Sequence, residues 1–276
     1  MDLELTQPTP TRASAEPSRV RGLRRFGEPS RSKVPEITAY FWIAKGLSTA
    51  MGESSSDFLV HKLVPEIAVV LGAIGLVVAL VLQFGASTYV AWRYWLAVAM
   101  VGVFGTMAAD VLHVGLGVPY IASTLFYAVV LAAVFIAWQM SERTLSIHSI
   151  TTRRRECFYW AAVLATFALG TAAGDFTAVT IGIGYFPSGL LFGAVIAIPA
   201  LGYWRLGMNS ILAFWFAYVV TRPLGASFAD WLAVSHKRGG LALGTGPVSL
   251  VLAAMIAGIV AYLSVTRLDI PKPLQQ

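Results

Sequence analysis

The chain of 276 residues contains a single cysteine, Cys157, so no intrachain disulfide can hold it together. Charge is scarce as well. Asp, Glu, Lys and Arg make up 12% of the residues, about half of the roughly 25% usual in soluble globular chains. The polar–apolar alternation of barrel strands is missing, which excludes a transmembrane β-barrel. No Ser/His/Asp constellation or zinc-protease spacing occurs, so neither an enzyme nor a required cofactor is expected. The glycine-rich stretch 238–246 lacks the Gly-Lys-Ser/Thr ending of a phosphate loop. What the chain has instead is apolar residues, 57% of the total at a mean hydropathy of +0.71, gathered in blocks of about twenty. Each block is long enough to cross ~30 Å of hydrocarbon. The net charge of +6 does not point to nucleic acid, because the basic residues lie where membrane proteins keep cytoplasmic charge.

Residues 1–32 are rich in Pro, Ser and Arg and read as a disordered basic tail, without the apolar run of a secretory signal. Eight spans follow, at 36–60, 64–84, 94–114, 119–140, 156–177, 187–204, 210–233 and 247–266, with a C-terminal tail at 267–276. Connections such as Gly115–Pro119 and Arg205–Asn209 are short, which makes consecutive helices antiparallel neighbours. The expected fold class is an all-α membrane protein of eight transmembrane helices. With the N-terminus inside, fifteen Lys and Arg fall on the inner side and only Lys62, Lys237 and Arg238 on the outer. That asymmetry predicts both termini in the cytoplasm and an even number of spans.

Self-comparison reveals a repeat in the odd spans. Aromatic-Trp, nine residues, Gly, four residues and Asp recur at 41–57, 94–110, 159–175 and 214–230 without a slip. The tryptophans are Trp42, Trp95, Trp160 and Trp215; the glycines are Gly52, Gly105, Gly170 and Gly225; the aspartates are Asp57, Asp110, Asp175 and Asp230. Each repeat is one two-helix hairpin, at about 36–84, 94–140, 156–204 and 210–266. Asp-to-Asp separations of 53, 65 and 55 place extra residues in the middle connection, the basic loop 141–156. All four hairpins enter from one side, as parallel copies about an axis along the membrane normal.

The aromatic pairs are expected to form an interfacial belt at the inner ends of the odd spans, and the glycines to admit a neighbouring helix. The aspartates carry more weight. Fifteen residues beyond each Trp is about 22 Å along a helix, inside the span toward its outer half. At roughly 2.5–3.5 kcal/mol per buried charge, the four Asp with Glu53, Lys45 and Arg222 must face one another or water, never lipid. Lys45 lies eight residues before Glu53 and Arg222 eight before Asp230, either as counter-ions displaced by a permeant ion or as fixed salt bridges. Pro223 is expected to loosen its helix. Glu53, Asp57 and His61 follow a four-residue spacing on one helix face, and Asp110 with His113 share another. These five are the candidate ligands of a hard or borderline divalent ion.

At KVPEITAYFWIAKGLSTAMGESSSDFL, FGTMAADVLH, FALGTAAGDF and TRPLGASFADW, the chain resembles a bacterial family of integral membrane proteins. That family is built of four tandem two-helix repeats with a characteristic Trp, a repeat of unknown function in uncharacterised "membrane-anchored" proteins. The likeness spans residues 33–266 and implies an eight-helix bundle in a bacterial inner membrane; it brings no activity. The residues themselves predict a cation transporter whose four Asp and Glu53 line a polar path. The preferred cargo is a divalent metal such as manganese, exchanged for protons. Its expected partners are membrane lipid, the transported cation and the proton. A proton or monovalent-cation channel, and a non-transporting scaffold acting through its basic tail and the 141–156 loop, are the alternatives.

Overall fold

The computed structural model describes residues 32–270; the expected tail at 1–31 and the residues beyond 270, Lys272 included, lie outside the described residues. Eight long helices make up the described chain: α1 (Ala39–Lys62), α2 (Pro65–Phe84), α3 (Ala91–Asp110), α4 (Tyr120–Glu142), α5 (Arg153–Asp175), α6 (Tyr185–Leu206), α7 (Ser210–Ala233) and α8 (Thr245–Thr266). No strand occurs among the described residues, and every helix falls within about a turn of its expected span. Local chemistry sets several of the ends. Thr38, Thr152 and Asn209 accept backbone N–H groups at the starts of α1, α5 and α7, while Pro65 opens α2. α6 stops at Gly207, whose φ of +66° is the left-handed turn a glycine takes without strain.

Seven of the eight are long and apolar enough to cross a membrane. α1 is long enough at 24 residues, but Lys45, Glu53, Asp57 and its serines make it too polar to count by hydropathy. The helices divide into two rings. α1 packs on α3, α3 on α5, α5 on α7 and α7 back on α1, so the odd helices close an inner circle. α2 lies against α3, α4 against α5, α6 against α7 and α8 against α1, so the even helices form an outer one. Burial follows the division: 50–67% of the spanning residues of α3, α5 and α7 are buried, against 17–28% for α2, α4, α6 and α8. The even helices present Val, Leu and Ile outward, as lipid contact requires.

Lipid removes the hydrophobic drive between helices, so close packing must come from small residues. The four repeated glycines supply it in cyclic order. A Cβ on Gly52 of α1 would meet the Gly102 backbone of α3 at 2.7 Å, and one on Gly105 would meet Phe167 of α5 at 2.8 Å. One on Gly170 would sit 2.3 Å from Arg222 of α7, and one on Gly225 only 1.9 Å from Thr49 of α1. Each odd helix therefore leans its repeated glycine on the next, and the circle closes.

The aromatic pairs are not a lipid-facing belt. Phe41, Tyr94, Trp95, Tyr159, Trp160 and Trp215 are buried, and they pack ring on ring across the circle: Phe41 on Trp95 and Phe214, Tyr94 on Trp160, Tyr159 on Trp215. Only Trp42 of the four repeated tryptophans is half-buried. Four helices meeting around an axis leave a central gap at this level, and large rings fill it.

Both ends of the described chain are pinned at the aromatic end. Lys33 donates to Glu156 at 2.7 Å, Gln83 donates to the other carboxylate oxygen at 2.9 Å, and Lys33, Gln83 and Glu156 are all buried. Lys33 thus spends its charge on Glu156 and adds little to the surface. The N–H of Glu36 reaches the carbonyl of Asp269, and Tyr89 donates its hydroxyl to the Asp269 carboxylate. We call this end the terminal face. The loop 143–152 is structured there by a short 3-10 turn at Ile147–Ser149 and by Arg154 and Arg155 pairing with Glu142.

Candidate functional site

Counting from the repeated glycine puts polar residues in layers. Three residues before it stand Thr49, Gly102, Phe167 and Arg222; one residue after it stand Glu53, Thr106, Thr171 and Ala226. The structure joins these two layers through one side chain. Arg222, fully buried on α7, shares the two N–H groups of Nη2 among Glu53 of α1 at 2.6 Å, Thr171 of α5 at 2.6 Å and the Thr106 hydroxyl of α3. Its Nη1 reaches the Thr49 carbonyl at 3.4 Å. One guanidinium thereby touches all three other inner helices. Breaking such a pair by removing one partner typically costs about 3–5 kcal/mol, because the survivor keeps its charge in a dry place.

The pairing differs from the expected one. Arg222 meets Glu53 rather than Asp230, and Lys45 meets no acid within ion-pair distance among the described residues. The Lys45 ammonium instead sits over the Phe167 and Tyr218 rings, 4.0 and 4.3 Å from their centroids, buried and without a hydrogen-bond acceptor. An eight-residue offset along one helix says which groups share a face, whereas the partner here comes from the helix across the ring. Pro223 does not break α7, which runs unbroken from Ser210 to Ala233 with the proline ring against Gly170.

The four aspartates lie toward the far ends of the inner helices. Asp57, Asp110 and Asp175 are half-buried and Asp230 is buried, and none forms an ion pair among the described residues. All four lie within electrostatic range of Glu53, and Asp230 within range of each of the other three. In α3 and α5 the helix passes directly from the aspartate into a π turn, Val111–Gly115 and Phe176–Thr180. Such turns are rare and concentrate where a helix is bent to place a functional group.

The candidate metal ligands do not assemble. Among the described residues no group of three or more His, Cys, Asp and Glu is placed to hold a metal ion. His61 is exposed and turns its Nδ1 to the Asp57 carbonyl at 2.6 Å; His113 bonds the Val118 carbonyl at 2.6 Å and stacks on Tyr120. Both histidines finish helix ends. Glu53 is taken by Arg222. Of the five residues, Asp57 and Asp110 alone stay with the acidic layer.

Thr106, Thr171, Tyr94 and Tyr159 escaped the reading by charge, although their register to the repeated glycine marks them. Arg238 escaped too. It lies just past α7, its guanidinium over the Tyr185 ring and donating to that hydroxyl, with electrostatic reach to Asp230 and Asp57.

A double ring of apolar helices with a polar axis defines a multi-pass membrane protein made of repeated hairpins. The family described as Repeat of Unknown Function (DUF347) matches residues 93–144, 158–208 and 213–269, more than half of the chain, and the chain belongs to it. The matched segments are the second, third and fourth hairpins; the first shares the same spacing. No curated protein and no solved structure matches the chain.

Proposed function

We propose that the protein is a cation transporter of the bacterial inner membrane, with its four hairpins as parallel copies around an axis along the membrane normal. We assign the terminal face to the cytoplasm, because the exposed arginines Arg143, Arg153, Arg154, Arg205 and Arg267 lie at the helix ends on that side. The observation that carries the reading is the layer of four aspartates, unpaired with any cation among the described residues, above the Arg222–Glu53 pair. Intramembrane carboxylates without fixed partners mark ion and proton paths. The carboxylates draw a cation into the outer mouth, and Glu53 changes partner from Arg222 to the ion as that pair opens.

The cargo is a hard divalent cation of the manganese kind, which suits oxygen ligands, exchanged for protons. Without an assembled cage, its site forms from carboxylates brought together by the ion. Reconstitution into vesicles with metal and proton dyes tests this. Wild type moves both, and Asp110→Asn/Asp175→Asn lowers metal flux at least about tenfold, as loss of two charges from one site implies. Equal flux from the two proteins overturns the reading. Ohmic single-channel current makes it a channel, and no flux of any cation makes it a scaffold.

A further inference from the structure

Two cavities open at the terminal face, one of about 380 Å³ and one of about 370 Å³. Both fall within the roughly 300–1,000 Å³ usual for ligand sites. The first lies between the end of α8 and the start of α3, the second between the end of α4 and the start of α7. Each therefore joins the second repeat to the fourth.

The linings occupy equivalent positions of the two repeats. Three and four residues before the repeated Trp stand Trp92 and Ala91 in the first cavity, and Leu212 and Ile211 in the second. On the even helices an arginine lines each cavity with the residue four before it: Arg267 with Leu263, and Arg143 with Gln139. A shared backbone template accounts for the gap but not for the arginine. Both arginines hold the left-handed turn that ends their helix, at φ of +56° and +57°. A Cβ is strained in that turn, and α6 makes the same turn with Gly207. Neither guanidinium forms an ion pair among the described residues. Two equivalent helix ends thus keep a costly residue whose charge nothing in the described chain uses.

We propose that each cavity binds an anionic phospholipid from the leaflet on that side, its phosphate on the arginine and its acyl stems on the apolar wall. A guanidinium presents paired N–H donors that match phosphate oxygens. The rim adds the hydroxyls of Thr88 and Ser264 in the first cavity, and Thr144 with the Asn209 amide in the second. Beneath the rim the exposed Trp92 and Leu212 continue the wall into the lipid-facing surface, where a soluble phosphate would have nothing to contact. Basic pockets between helix ends at a membrane surface favour anionic headgroups. Asp269 also lines the first cavity, with its carboxylate taken by Tyr89, whereas the second lining contains no acid and is the tighter site. An occupant touches both repeats and ties them together. The sites rest on the membrane fold alone and stand whether or not a cation is carried.

Native mass spectrometry of the full chain in detergent, with phosphatidylglycerol added, tests this. Wild type should retain two lipids, Arg143→Gly and Arg267→Gly one each, and the double variant none. Affinity at each altered cavity should fall at least about tenfold, as loss of a charged hydrogen bond implies. Glycine takes the left-handed turn without strain, so the variants should melt no lower than wild type. Arg205→Ala removes a charge at the end of α6, outside both linings, and should still retain two lipids. Equal retention by wild type and the double variant overturns the proposal. So does lipid loss from Arg205→Ala equal to that from Arg143→Gly, which would make the effect one of general charge. Equal retention of phosphatidylcholine overturns the anionic choice, and displacement of the lipid by glycerol phosphate overturns the lipid itself as occupant.

Discussion

The first and fourth repeats differ from the second and third, and the difference explains how one template can bury a charge on its axis. The first and fourth carry the charges: Lys45 and Glu53 on α1, Arg222 on α7, both helices continuing as regular α past their aspartates. The second and third carry hydroxyls at matching registers, Thr106 and Thr171 one residue past the glycine and Tyr94 and Tyr159 at the aromatic position, and both turn π after the aspartate. Charge from one pair is held by hydroxyls from the other. A ring of four identical repeats would stack four like charges at one level, which no dry interior tolerates. Diversification lets one arginine serve the whole circle.

The sharpest way to break the contrast is to remove the charge that joins the two pairs. Arg222→Met should destabilise the protein by about 3–5 kcal/mol, by leaving Glu53 buried alone, in thermal unfolding in detergent. Glu53→Gln added to it should restore a good part of that loss. If the double variant is no more stable than Arg222→Met, the ion pair is not what holds the ring.

Next in size come the acceptors. Thr106→Val and Thr171→Val each remove one hydrogen bond to the guanidinium and should cost about 1.5–3 kcal/mol in the same assay, less than Arg222→Met. The glycine seam follows. Gly225→Ala places a methyl 1.9 Å from the Thr49 hydroxyl and should cost about 1–3 kcal/mol. Gly46→Ala on the same helix as Thr49 meets nothing within 4 Å and should be neutral or stabilising by up to about 1 kcal/mol. Equal losses at the two sites would deny the seam its role.

The smallest effect concerns the terminal face. Burial raises the Asp269 carboxyl above its ordinary 3.8, against the opposing hydrogen bond from Tyr89. The folded state therefore holds that proton more tightly than the unfolded one. Its contribution is complete below 3.8 and is lost as pH rises through the elevated folded value. Hydrogen-exchange protection at Glu36, corrected for intrinsic rate, should decline as pH rises through the weakly acid range, and Asp269→Asn should flatten that decline.

Much of this was legible in the residues. Apolar blocks set the eight helices, and an unbroken spacing from Trp to Asp set the hairpin repeat and the acidic layer. Partners across the ring were not legible. Arg222 and Glu53 are 169 positions apart, and pairing them requires knowing that α7 closes on α1. Spacing along one helix pointed Arg222 at Asp230 and put His61 beside Glu53, because a helix wheel records shared faces and not what lies opposite. The aromatic pairs were placed at the lipid boundary for a similar reason. Tryptophan near a span end suits a headgroup layer equally well as a gap between four helices, and only the ring decides.

The acidic mouth above a closed axis is tested most directly by thiol access. In a Cys157→Ser background, Asp110→Cys and Asp175→Cys should react with a membrane-impermeant cationic thiol reagent added to the outer side only. Val98→Cys and Val163→Cys, fully buried on the terminal side of Arg222, should stay unreacted from either side. Silence at 110 and 175, or equal labelling at all four positions, would contradict a water-filled carboxylate layer closed off by Arg222.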